Sequence, residues 1–285
     1  MKLIKQIGWL CSMLSIGFLI SCIEDAGLDE FDFSEKLLIL GYVGDHNEPA
    51  RVNILGSVPI TAKGRKSRPV RDATVSLMEL TREEEIISYP MIFDPSRELY
   101  LTEDSSIAKI DHSYWLEVNV EERLWKSQPT RMTSRPKVNI SEPVHEDDLN
   151  RDRYEVDVID DDEYYSYIIG DYGQGIDLFL TTEYYFYYDK ELRIEAELST
   201  NVYLYSPSKT YDPYVYIMQV PPGVDEFFRE WQLQFDNTDD PDFFTQMLSI
   251  PPGNLSGNIM DESDQPAKDV IGVFFSGFTI KHRQE

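Results

Sequence analysis

The sequence predicts a mainly β protein, and three observations carry that prediction. Aromatic residues make up 13% of the 285 residues, with 18 Tyr, and such side chains fit pleated sheets. Short apolar or alternating runs recur between clusters of Gly, Pro, Asn and Asp, the pattern of strands and turns. Helical spacing is clear in one stretch alone, Val224–Phe235. The hydrophobic fraction of 41% and charged fraction of 27% are those of a chain that packs a core.

The chain opens with Lys2 and Lys5 and then a 14-residue apolar run, Ile7–Ile20. A spanning helix needs roughly 20 such residues and a signal sequence about 7–15, so residues 1–21 read as a signal peptide. The run ends in Leu19-Ile20-Ser21-Cys22, a lipobox. Processing would cut before Cys22 and acylate it, anchoring the mature chain to a bilayer. Each buried CH₂ contributes about 0.8 kcal/mol to such an anchor. Cys11 lies inside the signal, so no thiol is left for a disulfide, a nucleophile or a metal.

Residues 22–34 read as an acidic tether, with Glu24, Asp25, Asp29, Glu30 and Asp32. Acids directly after a lipidated Cys resemble the signal that sends Bacteroidota lipoproteins to the outer face of the outer membrane. Glu24 and Asp25 are therefore the candidate surface-export residues.

Residues 35–141 hold a series of strand candidates. Lys36–Val43 is a continuous apolar run, and Arg51–Leu55 alternates after a turn-rich segment. Thr61–Arg71 is basic and reads as a loop. Thr74–Leu80 alternates, with Val75, Leu77 and Glu79 on one side. Glu98–Thr102, Ser113–Val120, Leu124–Lys126 and Lys137–Ile140 follow, and together they predict a β-sandwich. The polar stretch 142–153 has no apolar periodicity and reads as a linker.

Residues 154–285 predict a second β-rich domain. Its strand candidates include Tyr154–Ile159, Tyr164–Gly170, Thr182–Tyr188, Leu192–Leu198 and Tyr214–Val220. The helix Val224–Phe235 follows Pro221-Pro222-Gly223, with Val224, Phe227, Phe228, Trp231 and Phe235 on its apolar face. A second short helix is expected from Asp240, with Pro241 at its first position. Val270–Ile280 reads as a long final strand broken by Gly272 and Gly277.

The formal net charge is −26, which argues against nucleic acid and against adsorption to anionic lipid. Cleavage before Cys22 would remove Lys2 and Lys5 and no acid. None of His46, His112, His145 and His282 sits in a zinc-binding spacing, and no phosphate loop or nucleophile elbow occurs. No cofactor is expected. His145-Glu146-Asp147-Asp148 reads as solvated polar chain. Calcium near Asp236–Asp242 stays open, although the spacing is not that of an EF-hand. The Tyr-rich runs at 164–167 and 184–188 leave two readings, core aromatics or an exposed binding surface.

Several segments in order resemble one family. They are the lipobox and acidic tether, the strand KLLILGYV, PVRDATVSLMEL at Pro69–Leu80, RELYLTED at Arg97–Asp104, YWLEVNV at Tyr114–Val120, and the ending PPGNLSGNI…VIGVFFSGF. Their order resembles the Bacteroidota lipoproteins grouped as domain of unknown function 4249. Asp72 stands where that family often has Gly before the alternating strand. The resemblance implies an N-terminal immunoglobulin-like or carboxypeptidase-regulatory-like β-sandwich and a second β-rich domain with one or two short helices. It also implies a partner, because members accompany TonB-dependent outer-membrane transporters, but no catalytic residues.

The function expected is that of a non-enzymatic, surface-exposed lipoprotein accessory to such a transporter, by ligand capture or docking. A structural or adhesive module of the cell envelope is the alternative. A surface hydrolase with an unrecognised site is a third reading.

Overall fold

The computed structural model describes residues 36–44, 48–56, 68–105, 107–159, 165–173, 185–188, 197–205, 213–230 and 257–282. All lie within Glu35–Glu285, which packs as one compact unit. As expected, the described residues are mainly β; helix is limited to a 3-10 turn at Asp147–Leu149 and a stretch over 225–230.

The largest sheet is built from β1 (Leu37–Gly44), β2 (Pro49–Gly56), β3 (Arg68–Pro69), β4 (Thr74–Leu80), β5 (Ile86–Asp94), β6 (Leu99–Ser105), β7 (Ser113–Val120), β8 (Arg123–Ser127) and β9 (Thr130–Arg131). Two late strands, β17 (Ile259–Met260) and β18 (Val270–Gly277), complete it. The order is β17-β8-β7-β4-β5-β6-β2-β1-β18, with β3 on β2 and β9 on β7. Every pairing in it is antiparallel except β1 with β18, which is parallel. Residues 35–141 therefore do not finish this sheet by themselves; strands from the 154–285 stretch take both ends of its order.

Those two ends meet, so the sheet is nearly closed. Asn258, just before β17, is 2% exposed. Its Nδ2 donates to the Phe274 carbonyl at 2.7 Å, and the Phe274 N–H donates to its Oδ1 at 3.0 Å. The side-chain amide thus stands in for a strand neighbour on β18. Beside it, the Ser276 N–H donates to Thr130 Oγ1 at 2.8 Å and Ser276 Oγ donates to the Thr130 carbonyl at 3.0 Å. Glycines make the approach possible. A Cβ on Gly257 would lie 2.0 Å from the Gly272 carbonyl oxygen, and one on Gly272 would lie 1.8 Å from that of Ile39.

The closed interior holds the first core. Ile39 and Val43 of β1, Val75 and Leu77 of β4, Leu116 of β7 and Phe274 of β18 point into it. The alternate residues of β1 and β18 face outward yet are also buried. Leu40, Tyr42, Val273 and Phe275 pack on Tyr216 and Met218 and on Val224, Phe227 and Phe228 at the helical stretch. Burial on both faces explains why KLLILGYV is continuously apolar rather than alternating.

A second sheet, β14 (Tyr185–Tyr188), β13 (Ser166–Gly173), β16 (Pro213–Val220) and β19 (Thr279–His282), supplies that outer layer. Its far face packs on a third sheet of β10 (Lys137–Ile140), β11 (Val144–Glu146), β12 (Arg151–Ile159) and β15 (Glu197–Tyr205). Tyr165 and Tyr167, 4% and 0% exposed, lie in this last core, so in the first Tyr-rich run these two are core aromatics. Tyr164 and the side chains of 184–188 lie outside the described residues.

Two expectations are revised by these observations. The polar stretch 142–153, expected as a linker, holds β11, the 3-10 turn and the start of β12. Its hairpin places His145 opposite Asp152 and Glu146 opposite Arg151. Charges pair across the strands where apolar alternation would otherwise signal them. The expected single strand Val270–Ile280 is two strands. The chain leaves the first sheet at Gly277, where a Cβ would meet the Gln219 carbonyl oxygen at 2.3 Å, and β19 joins the second sheet. Ile86–Asp94, outside the strand candidates read from the sequence, forms β5.

The helix expected over 224–235 is described over 225–230, with Val224, Phe227 and Phe228 buried as anticipated. Asp225 Oδ1 accepts N–H bonds from Gly223 and Glu226 at its start. Trp231, Phe235 and the second expected helix from Asp240 lie outside the described residues.

Candidate functional site

The residues singled out for lipidation and export, Cys22 with Leu19, Ile20 and Ser21, and Glu24 and Asp25, lie outside the described residues. So do the acidic runs Asp160–Glu163 and Asp236–Asp242. Among the described residues no three potential metal ligands gather. His145 is exposed between Asp152, 2.7 Å from its Nδ1, and Asp147, 3.3 Å from its Nε2. The Asp152 hydrogen bond favours its charged form and raises its pKa.

Two features stand out in the large sheet. One is a charged network inside it. The alternation of β4 that buries Val75 and Leu77 also carries Glu79 inward, where it is 0% exposed. Tyr89 Oη donates to Glu79 Oε2 at 2.5 Å, and His112 Nδ1 lies 2.5 Å from Oε1. Lys109 Nζ and Tyr114 Oη each donate to Oε1 at 3.3 Å. Burial pushes the Glu79 carboxyl upward, but the bonds from Tyr89 and His112 and the charge of Lys109 outweigh it. They hold the carboxyl below its usual range. Burial, joined by the neighbouring carboxylate, moves the Tyr89 and Tyr114 phenols far above theirs. The network ties β4, β5, β7 and the chain before β7 together. Its carboxylate is held by Tyr89, His112 and Lys109, with the Tyr114 hydroxyl shared between it and the Ile107 carbonyl at 3.0 Å.

The other feature lies outside the same strands. Residues that alternate with the core positions point outward: Met78 and Leu80 on β4, Ile86, Pro90 and Ile92 on β5, and Trp115 on β7. Leu80 stands between Ile86 and Ser113, and Met78 beside Trp115. Ile86 is 62% exposed, Ile92 64% and Leu80 36%. An antiparallel sheet that packs one face on a core normally turns polar residues to water on the other. Here the outer positions mix Ile86, Pro90 and Ile92 with Ser88 on β5, and Met78, Leu80 and Trp115 with Ser76, Ser113 and Glu117 on the strands beside it, so three large apolar side chains stand in water among small polar ones. Pro90 sits where the pairing with β6 stops, so its missing N–H costs no ladder bond there.

The borders of this face are charged. Glu83, Glu84 and Glu85 form the β4–β5 turn and Glu103 extends β6, all exposed. Trp115 Nε1 donates to Glu117 at 3.4 Å, and Glu117 pairs with Lys126 at 2.9 Å. Asp111 is held between Arg82 at 2.5 Å and Arg131 at 2.9 Å. These three residues, with Leu80, Thr81 and Ser113, line an open cleft of about 400 Å³.

Comparison with known families decides what kind of chain this is. Residues 24–282 match the family described as Domain of unknown function (DUF4249). The chain belongs to the DUF4249 family. No curated protein matches it. Two of the segments that resembled DUF4249 in sequence have plain structural duties. In PPGNLSGNI, the Gly257-Asn258 pair closes the large sheet against β18. In PVRDATVSLMEL, Tyr100 pins the approach to β4, accepting from the Ala73 N–H at 3.0 Å and donating to the Val70 carbonyl at 3.0 Å.

Proposed function

We propose that this DUF4249 chain is a lipoprotein anchored at Cys22 on the outer face of a bacterial outer membrane. There it docks, without catalysis of its own, on a TonB-dependent transporter. The observation that carries the docking part is the exposed apolar face of β4, β5 and β7, on the side of the sheet away from its core. Large apolar side chains gathered exposed on one sheet face favour a protein–protein contact. The lipobox and the acids at Glu24 and Asp25 support the anchor and the surface location. The nearly closed sheet is read as a variant of the immunoglobulin-like or carboxypeptidase-regulatory-like sandwich. The continuous antiparallel order β8-β7-β4-β5-β6-β2 supports that reading.

Docking is tested by Ile86→Asp with Ile92→Asp. Both side chains are largely exposed, so the melting temperature is expected to stay within a few degrees of wild type. Co-purification with an outer-membrane barrel in mild detergent is expected to fall at least tenfold, as for loss of central apolar contacts. Unchanged co-purification, or a full-length protein that always migrates alone, defeats the docking reading.

Location is tested separately. Cys22→Ser is expected to abolish acylation and leave the protein soluble or tethered by its uncleaved signal, because a strongly acidic chain has little attraction for anionic lipid. Glu24→Ala with Asp25→Ala is expected to keep the anchor but stay on the periplasmic leaflet. Protease added to intact cells should digest wild type and spare the double variant. A protected wild type overturns surface display.

A further inference from the structure

The unpaired acids around the apolar face restrict what binds there. Glu83, Glu84, Glu85 and Glu103 are all exposed, and among the described residues none of them meets a cationic side chain within 4.0 Å. Several other acids of the same sheet are matched, Glu98 by Arg71, Asp111 by Arg82 and Arg131, Glu117 by Lys126, and Asp269 by Arg123, while Asp104 beside Glu103 adds a further carboxylate unmatched among the described residues. Arg82, which opens the β4–β5 turn, is shared with Asp111, as is Arg131, and Lys109 is taken by Glu79. The apolar centre is thus bordered by carboxylates left without a counter-charge.

Resting on the docking reading above, we propose that the face receives a basic protein surface: an apolar ridge, seated on Leu80, Ile86 and Ile92, flanked by Lys or Arg that pair with Glu83, Glu84, Glu85 and Glu103. Electrostatics disfavours the other occupants. A second copy brings the same acidic rim and another net charge of −26, and like charges brought together at an interface cost several kcal/mol. A lipid leaflet with anionic headgroups repels the same carboxylates. A basic partner is drawn in by the field of the whole chain and oriented by the rim.

The test places a photoreactive residue at Ile86 or Ile92 in the full-length lipidated protein in native membranes, with Val144, exposed on the third sheet, as the control position. The expected result is an adduct with a different protein from Ile86 and Ile92 but not from Val144. The cross-linked peptide should carry apolar residues flanked by Lys or Arg. Adduct yield should fall at least about threefold when salt rises from about 0.1 to about 0.5 M. It should fall similarly in Glu83→Lys with Glu84→Lys and Glu85→Lys, and in the milder Glu103→Lys, each checked for an unchanged melting temperature. An adduct indifferent to salt and to charge reversal overturns the basic partner while leaving docking in place. Adducts with a second copy or with lipid alone also overturn it. Yields no higher than at Val144 overturn both this inference and the docking reading.

Discussion

Glu79→Leu is expected to lower stability at neutral pH by about 3–5 kcal/mol, the usual cost of removing one partner from a buried charged cluster. The substitution leaves His112 and Tyr89 with polar atoms aimed at an apolar side chain inside the core, while Tyr114 Oη keeps the Ile107 carbonyl and Lys109 turns to water. Total stabilities are about 5–15 kcal/mol, so the variant is expected to be marginal. The pH dependence has a definite sign. A carboxyl held below its ordinary value of 4.5 contributes stability that is complete above 4.5 and is lost as pH falls through its folded value. The gap between wild type and Glu79→Gln should therefore be full at neutral pH and close progressively in acid. Urea titrations at neutral and acidic pH measure it. A constant gap, or a Glu79→Leu protein that melts like wild type, shows that the network contributes nothing.

Gly272→Ala is expected to be worse, above about 4 kcal/mol and into the exceptional range for one residue. Its φ of +148° suits glycine, and holding another residue there costs roughly 1–3 kcal/mol. The added Cβ would also lie 1.8 Å from the Ile39 carbonyl oxygen, on backbone that is itself paired in the sheet. No side chain can move aside to relieve that contact, so β1 and β18 must separate. Loss of a cooperative thermal transition, or a drop of well over ten degrees, is the expected readout. A shift of a degree or two would mean that the parallel pair is not formed as described.

How much of this was legible in the sequence depends on whether local chemistry or distant pairing decided each part. β1, β16 and β18 were readable because apolar runs buried on both faces leave a strong signal. Val75, Leu77 and Glu79 were placed on one side of their strand by alternation alone. The partners of Glu79 were not readable, since Tyr89, Lys109, His112 and Tyr114 reach it only through sheet register. β5 was missed because of what it turns outward. Ile86 and Ile92 among its outward positions blur the period of two, and Pro90 interrupts it. The strand that sequence reasoning lost is thus the one that carries most of the candidate docking face. The hairpin at 142–153 was lost for the opposite reason, because its facing residues are charges.

The parallel pairing of β1 with β18 also fixes an order in time. Leu37 is made near the start of the chain and its partner Val270 near the end, roughly 230 residues later. Bringing such ends together costs about 5 kcal/mol of chain entropy before any length-independent part, and contacts of this separation form slowly. Until they form, β1 has β2 on one side and an unpaired backbone on the other, the kind of edge that recruits stray strands. The edge of β1 is therefore sealed only once β18 is in place, and a chain cut anywhere before Val270 leaves it open.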